Sequence, residues 1–341
     1  MLNAAIVGLG WWGKTLVESV QGASDTIRFV GANSRTISPE VKAFAETHKL
    51  FLAPTFDALL SDPRIDAVVL ATPHSLHTEQ VIAASQAGKH VFCEKPFALK
   101  KSDAEAAVSA TRKAGVTLGL GYNRRFHPEM TKLRERIRSG ELGAIMHLEA
   151  TMTFPNALLL KPSQWRAHRE ETPCGGLTPM GVHAVDAMID LCGDIDRVFC
   201  QSFRRTVEID ADDTTSVLFR MKDGMSGYLG TVTATGPGFS FQVFGSKGWV
   251  RLDGMTHVAG ASSEERRTRL FSTCKFQPTK GPAEVWQAAT LDVTRTALES
   301  FAKAVAGGPE FPIPLQQMIH GVAVTEAVVR SAVSGMPEKV P

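Results

Sequence analysis

No cysteine pair in this 341-residue chain has C-x-x-C spacing. Cys93, Cys174, Cys192, Cys200 and Cys274 are scattered and odd in number, which argues against a disulfide framework and for reduced thiols in a cytoplasmic protein. No sign of charge dominates: 37 Lys and Arg against 35 Asp and Glu leave a net +2, so there is no strong field to collect nucleic acid or an anionic membrane. No apolar run is long enough to span a bilayer, and the apolar opening MLNAAIVGLGWW lacks the basic flank of a signal peptide. H-E-x-x-H is missing and the ten histidines show no paired ligand spacing, so no metal site is expected. A G-x-S-x-G elbow, internal repeats and low-complexity linkers are also lacking. The mixed-sign run EERRTR at 264–269 reads as a solvated loop.

What is present is core material. Apolar residues make up 43% and charged residues 21%, a globular composition, and the length implies two domains. Strand-like runs (NAAIVGLG, TIRFVGANSR, AVVLATP, HVFCEKP, VTLGLGY) alternate with helical patterns from residue 3 to about 121. One of those helices, KSDAEAAVSATRKAG, begins with a capping-box pattern from Ser102 to Glu105 and stops at Gly115. Such alternation predicts an α/β Rossmann-type doubly wound parallel sheet, placed at 1–121. Beyond it, extended runs fold at Asp223-Gly224 and between Gly245 and Gly248. They predict a second domain, 122–341, with an open and mainly antiparallel sheet, covered by helices near 126–139, 182–192 and 290–306. The final amphipathic helix ends at Gly335.

The stretch VGLGWWGK places Gly8, Gly10 and Gly13 in G-x-G-x-x-G spacing between the first strand and the first helix, the context that a dinucleotide fingerprint requires. Leu9, Trp11 and Trp12 fill the other positions, and the tryptophans read chiefly as buried apolar area. At the end of the second strand, where NAD-binding chains carry a carboxylate, the chain has Ser34 followed by Arg35. Loss of the carboxylate and gain of a guanidinium favour a 2′-phosphate, hence NADP(H), with NAD(H) as the alternative.

TPHSLH at 72–77, EKP at 94–96, YNRRFHP at 122–128 and GGLTPMGVHAVD at 175–186, in that order behind the glycine loop, resemble the glucose-fructose oxidoreductase / inositol dehydrogenase / MocA-like family. The resemblance implies nicotinamide-dependent chemistry on sugars, cyclitols or related alcohols and carbonyls, and dimers or tetramers built through the open sheet. It also assigns residues. Lys95 and His183 are the implied catalytic pair, contributed by separate domains. Thr72, Pro73, His74, His77, Glu94 and Lys95 join the cofactor loop, and Trp165 with Arg166 forms an element closing over the cofactor. Tyr122, Arg124, Arg125 and Asp186, together with Lys95 and His183, face substrate. On its own chemistry, Lys95 sits at the carboxyl end of a strand, where open α/β sheets bind ligands. An amine there can exchange a proton with a substrate oxygen once burial or a nearby positive charge lowers its pKa. His183 suits a proton relay near neutrality. Many relatives carry Asp four residues before that histidine, and this chain has Pro179. The departure leaves a cis-dihydrodiol substrate open, beside a dinucleotide-binding regulator without turnover and a glycosidase using bound cofactor as a redox relay.

Overall fold

The first six strands are β1 (Leu2–Val7), β2 (Ile27–Asn33), β3 (Phe51–Leu52), β4 (Ala67–Leu70), β5 (His90–Cys93) and β6 (Leu118–Leu120). In the computed structural model, which describes residues 1–255 and 262–341, they form one parallel sheet in the order β3-β2-β1-β4-β5-β6. β1 and β4 are almost wholly buried, as expected of strands covered by helices on both faces. Local chemistry sets the helices. Ser38 accepts from the Val41 N–H ahead of Pro39, and Gly115 closes the helix Lys101–Ala114 in the left-handed region at φ 67°. That helix starts one residue before the expected capping box, and Ser102 makes no cap; Lys100 precedes its first turn. β3 and the short helix Phe56–Leu60 were not legible from periodicity, being too short to show one.

By its contacts the chain divides into two compact units: Met1–Asn123 with Asp292–Ile319, and Arg124–Leu291 with His320–Pro341. The helix Val293–Val305, which its pattern offered as cover for the open sheet, packs instead in the first unit, against the helix Trp11–Val20, β2 and β5. Phe301 is fully buried, edge-on to Phe92, and Phe311 meets Phe92 the same way. Amphipathicity specified that this helix buries a face but not the surface that receives it.

The second unit holds β7 (Ile145–Thr153), β8 (Ile195–Phe203), β9 (Thr214–Met221), β10 (Ser226–Val232), β11 (Gly238–Gly245), β12 (Gly248–Gly254), β13 (Thr273–Pro278), β14 (Glu284–Gln287) and β15 (Glu338–Lys339). They make a nine-stranded sheet, β14-β13-β12-β11-β7-β10-β9-β8-β15, antiparallel except for the parallel β7–β10 pair. The predicted turns are present between β9 and β10, where Gly224 has φ 93°, and between Gly245 and Gly248. One face alternates into a core shared with the helix Gly181–Cys192 and with the second unit's part of the helix Leu315–Ser334; Val217, Leu229, Val243, Met188 and Val324 all lie in it. The other face carries Leu218, Tyr228, Glu149, Gln242 and Arg251 in one cross-strand row. The 264–269 run is not a loop: Ser263–Thr268 is a short helix opened by a capping box between Ser262 and Glu265, with Arg267 buried.

Candidate active site

The glycine turn lies where the strand order reverses between β1 and β4, the place at which doubly wound sheets bind ligands. Each glycine has a separate geometric reason. Gly8 has φ 96°, and a β-carbon there would stand 2.6 Å from the Ala71 carbonyl oxygen. At Gly13 it would stand 1.9 Å from the Gly8 carbonyl oxygen. At Gly10 nothing lies within 4 Å, so the chain is open on that side, and no side chain caps the helix Trp11–Val20 that follows. An uncapped helix start facing open space is the arrangement a pyrophosphate needs. The Gly8 N–H donates to the Asn33 carbonyl at 2.8 Å, which ties the turn to the end of β2, immediately before half-buried Ser34 and exposed Arg35. Leu9 is buried, Trp11 is exposed, and the tryptophan rings are tilted against each other at 5.4 Å. The Trp12 indole Nε1 is buried with no hydrogen-bond partner among the described residues. These residues fit a dinucleotide.

Next to this turn, β4 and β5 deliver the Thr72–Pro73 and Glu94–Pro96 segments. His77, fully buried, joins them: Nδ1 lies 2.8 Å from the Pro96 carbonyl oxygen and Nε2 3.2 Å from that of Thr72. Both ring nitrogens thus face backbone carbonyl oxygens, to one of which a neutral ring donates, and His77 ties the two segments together. Thr72 Oγ1 donates to Gln80 at 2.6 Å, and buried His74 lies edge-on to His77. Lys95 is half-buried, its backbone N–H donates to the Glu94 carboxylate at 3.2 Å, and the Lys95–Pro96 peptide is cis. A β-carbon on Gly121 would meet that carboxylate at 2.6 Å, so the glycine before buried Tyr122 makes room for Glu94.

In the second unit, His183 is buried in the first turn of the helix Gly181–Cys192. The Gly175-Gly176 segment before it fits tightly: a β-carbon on Gly175, at φ 50°, would stand 1.9 Å from the Asp212 carbonyl oxygen. Pro179 is half-buried two residues ahead of the helix. Asp186 lies one turn beyond His183, where it receives Arg125 through Nε at 2.9 Å and Nη2 at 2.6 Å. Asp190, four residues further, takes Arg125 Nη1 at 3.2 Å as well as Arg134. Burial pushes the Asp186 carboxyl up to about 6, against the pull of Arg125. Asp190 was missed by sequence reasoning, although its i+4 spacing from Asp186 was the available signal.

Arg124 and Arg125 look alike in the sequence and differ completely in the fold. Arg124 is 6% exposed, with its guanidinium carbon 4.4 Å from the Phe239 ring centre. Its Nη1 is buried without a hydrogen-bond partner among the described residues, and burial draws the group down to about 9. A cation–π contact contributes about 2 kcal/mol when desolvated, against a burial cost of several kcal/mol for the ion. Phe239, in the alternating FSFQVFG run of β11, carried no signal of this role. Arg166 stacks on Trp165 at 4.0 Å in a short 3₁₀ turn, with Arg166 exposed and Trp165 half-buried.

Two family models account for most of the chain: the oxidoreductase family with NAD-binding Rossmann fold over residues 2–122, and the GFO/IDH/MocA C-terminal domain over 130–251. The chain belongs to the GFO/IDH/MocA oxidoreductase family. Among this family's members, it is 29% identical over 280 residues to the myo-inositol 2-dehydrogenase of Thermotoga maritima, covering 79% of this chain and 80% of that one. The aldose-aldose oxidoreductase of Caulobacter crescentus, solved with glycerol, is 26% identical with TM-score 0.85 over 99% of both chains. A Desulfitobacterium hafniense structure shares the fold at TM-score 0.90 and 24% identity, over 99% of this chain and 97% of that one. Family membership makes residues 2–122 an NAD(P)-binding Rossmann domain. Among the described residues no helix is long and apolar enough to cross a membrane.

Proposed function

We propose that this GFO/IDH/MocA member is an NADP(H)-preferring oxidoreductase that moves a hydride between the nicotinamide and a carbonyl or alcohol carbon of a sugar, cyclitol or related polyol. The observation that carries the reading is the glycine turn, closed at Gly8 and Gly13 and open at Gly10, beside a strand end that offers Ser34 and Arg35 in place of a carboxylate. A polyhydroxylated substrate is supported by the Thermotoga relative, a myo-inositol dehydrogenase, and by the Caulobacter enzyme, an aldose-aldose oxidoreductase. When bound, the nicotinamide supplies the hydride acceptor or donor. The chain's own groups manage the proton: the Lys95 amine gives one to the substrate oxygen in reduction and takes one in oxidation, with His183 as its relay. Pro179 contributes no carboxylate, so these two groups share the task. The first unit serves the dinucleotide and the second the substrate and self-association, the latter through the mixed row of Leu218, Tyr228 and Arg251 on the sheet.

Two substitutions test the reading with NADP+, NAD+ and a panel of sugars, inositols and dihydrodiols. Lys95→Met is expected to lower kcat by about 10²–10⁴-fold while leaving NADP+ affinity nearly intact, the signature of a lost general acid–base. Arg35→Ala is expected to cost about 1.5–3 kcal/mol of NADP+ binding, or roughly ten- to a hundredfold, with little change for NAD+. An undiminished rate in the lysine variant refutes the proton assignment, and equal losses for both cofactors refute the phosphate clamp.

A further inference from the structure

Of the two adjacent arginines, Arg125 has its charge answered by Asp186 and Asp190. Arg124 has no such answer: it is buried, no acidic side chain pairs with it among the described residues, and its Nη1 is left without an acceptor. Buried cations without a partner are costly and uncommon, so one that persists needs either an anion or a structural return. The contact with Phe239 is one structural return, and it satisfies none of the guanidinium N–H groups. With the ring 4.4 Å from the guanidinium carbon and Nη1 buried without an acceptor, the group keeps a planar fork of N–H donors that matches the two oxygens of a carboxylate. Phe239 itself packs against Phe271, so the platform is fixed by neighbours rather than by the arginine.

We propose that Arg124, laid on Phe239, is a carboxylate receptor, and that the substrate is therefore a polyhydroxylated acid rather than a neutral polyol. The proposal rests on the oxidoreductase reading for the rest of the substrate's chemistry, but the binding of the acid group does not. A hydroxyl offers the guanidinium a hydrogen bond without cancelling its charge, whereas a carboxylate does both. The arginine would thus discriminate acids from their neutral counterparts more strongly than it fixes any one ring stereochemistry.

The test is calorimetric titration of the NADP+-loaded protein with D-gluconate and D-glucuronate against D-glucose and myo-inositol, with D-glucose 6-phosphate as a second anion. The wild type is expected to bind at least one acid about tenfold or more tightly than its neutral counterpart. Arg124→Met loses that preference, and Arg124→Lys, which keeps the charge but not the fork, keeps part of it. Thermal melting without ligand gives an independent reading. If the residue is held for a ligand, replacing the unpaired charge by an apolar side chain of similar length raises Tm by about 2–4 °C. A fall in Tm marks a structural stacking residue and overturns the proposal. So does equal binding of acids and neutral sugars, absence of binding by every acid, a preference confined to the phosphate, or a methionine variant that still discriminates. Reduced nicotinamide is followed in parallel. Arg124-dependent acid binding without turnover sinks the oxidoreductase reading alone, and turnover of neutral polyols indifferent to Arg124 sinks this one alone.

Discussion

At the level of single residues, the glycine turn separates two kinds of necessity that the sequence pattern presents as one. Gly13→Ala forces a methyl group to 1.9 Å from a backbone oxygen, which the neighbouring strand end cannot easily yield. Gly10→Ala adds its methyl to open space. The first should therefore lose about 1–3 kcal/mol or more of stability, as overpacked sites do, whereas the second should melt with the wild type yet bind NADP+ about tenfold or more weakly. Melting curves paired with cofactor titrations check this; a Gly10 variant with full affinity would remove the pyrophosphate from that spot. All three glycines were legible in the sequence because their spacing and flanking elements are local. The difference between Arg124 and Arg125 was not, since it depends on Asp186, Asp190 and Phe239, which are 61 or more residues away and have no fixed spacing to read.

Among the elements, the segment linking β8 to β9 is held by one carboxylate. Asp213, buried, accepts from the backbone N–H groups of Arg205, Thr206 and Val207 at 2.7–3.1 Å and from the Thr214 hydroxyl at 3.0 Å. Burial tends to raise its pKa, and these donors outweigh it, so the group sits below the ordinary value of 3.8. A depressed carboxyl contributes stability that is complete above the unfolded value and lost as pH falls through the folded one. Asp213→Asn is expected to cost about 2 kcal/mol at pH 7, the range for hydrogen bonds to a charged acceptor, with the gap to wild type closing below about pH 4. Denaturant melts at pH 7, 5 and 3.5 decide it; a gap independent of pH would show that the charge has no part. Elements of this kind were unequally legible. The helix Lys101–Ala114 announced its end through Gly115 but not its start, because Lys100 caps nothing. The short helix at 263–268 is hidden by its charged composition, although Ser262, two residues ahead of the EERRTR run, stands at capping-box spacing from Glu265 within it.

For the molecule as a whole, the parallel sheet, the mainly antiparallel sheet and their order followed from alternation and turn residues, whereas the allegiance of the helix Val293–Val305 did not. Its apolar face is visible in the sequence; that Gly119 lacks a side chain exactly where Phe301 and Phe92 crowd in is visible only in the fold, where a β-carbon would meet the two rings at 2.9 and 2.8 Å. A fragment of residues 1–123 should consequently be poorly ordered, having lost Phe301 and Phe311, each worth about 1.5–3 kcal/mol of burial. Joining residues 292–319 to it through a flexible linker should restore a cooperative melt and NADP+ binding; a 1–123 fragment that already melts cooperatively would show the returning helix to be dispensable. The backbone passes between the two units at three places, after Asn123, after Leu291 and after Ile319. One protease cut at any of these junctions therefore leaves the two halves on a common tether, and releasing either as a separate body takes all three scissions.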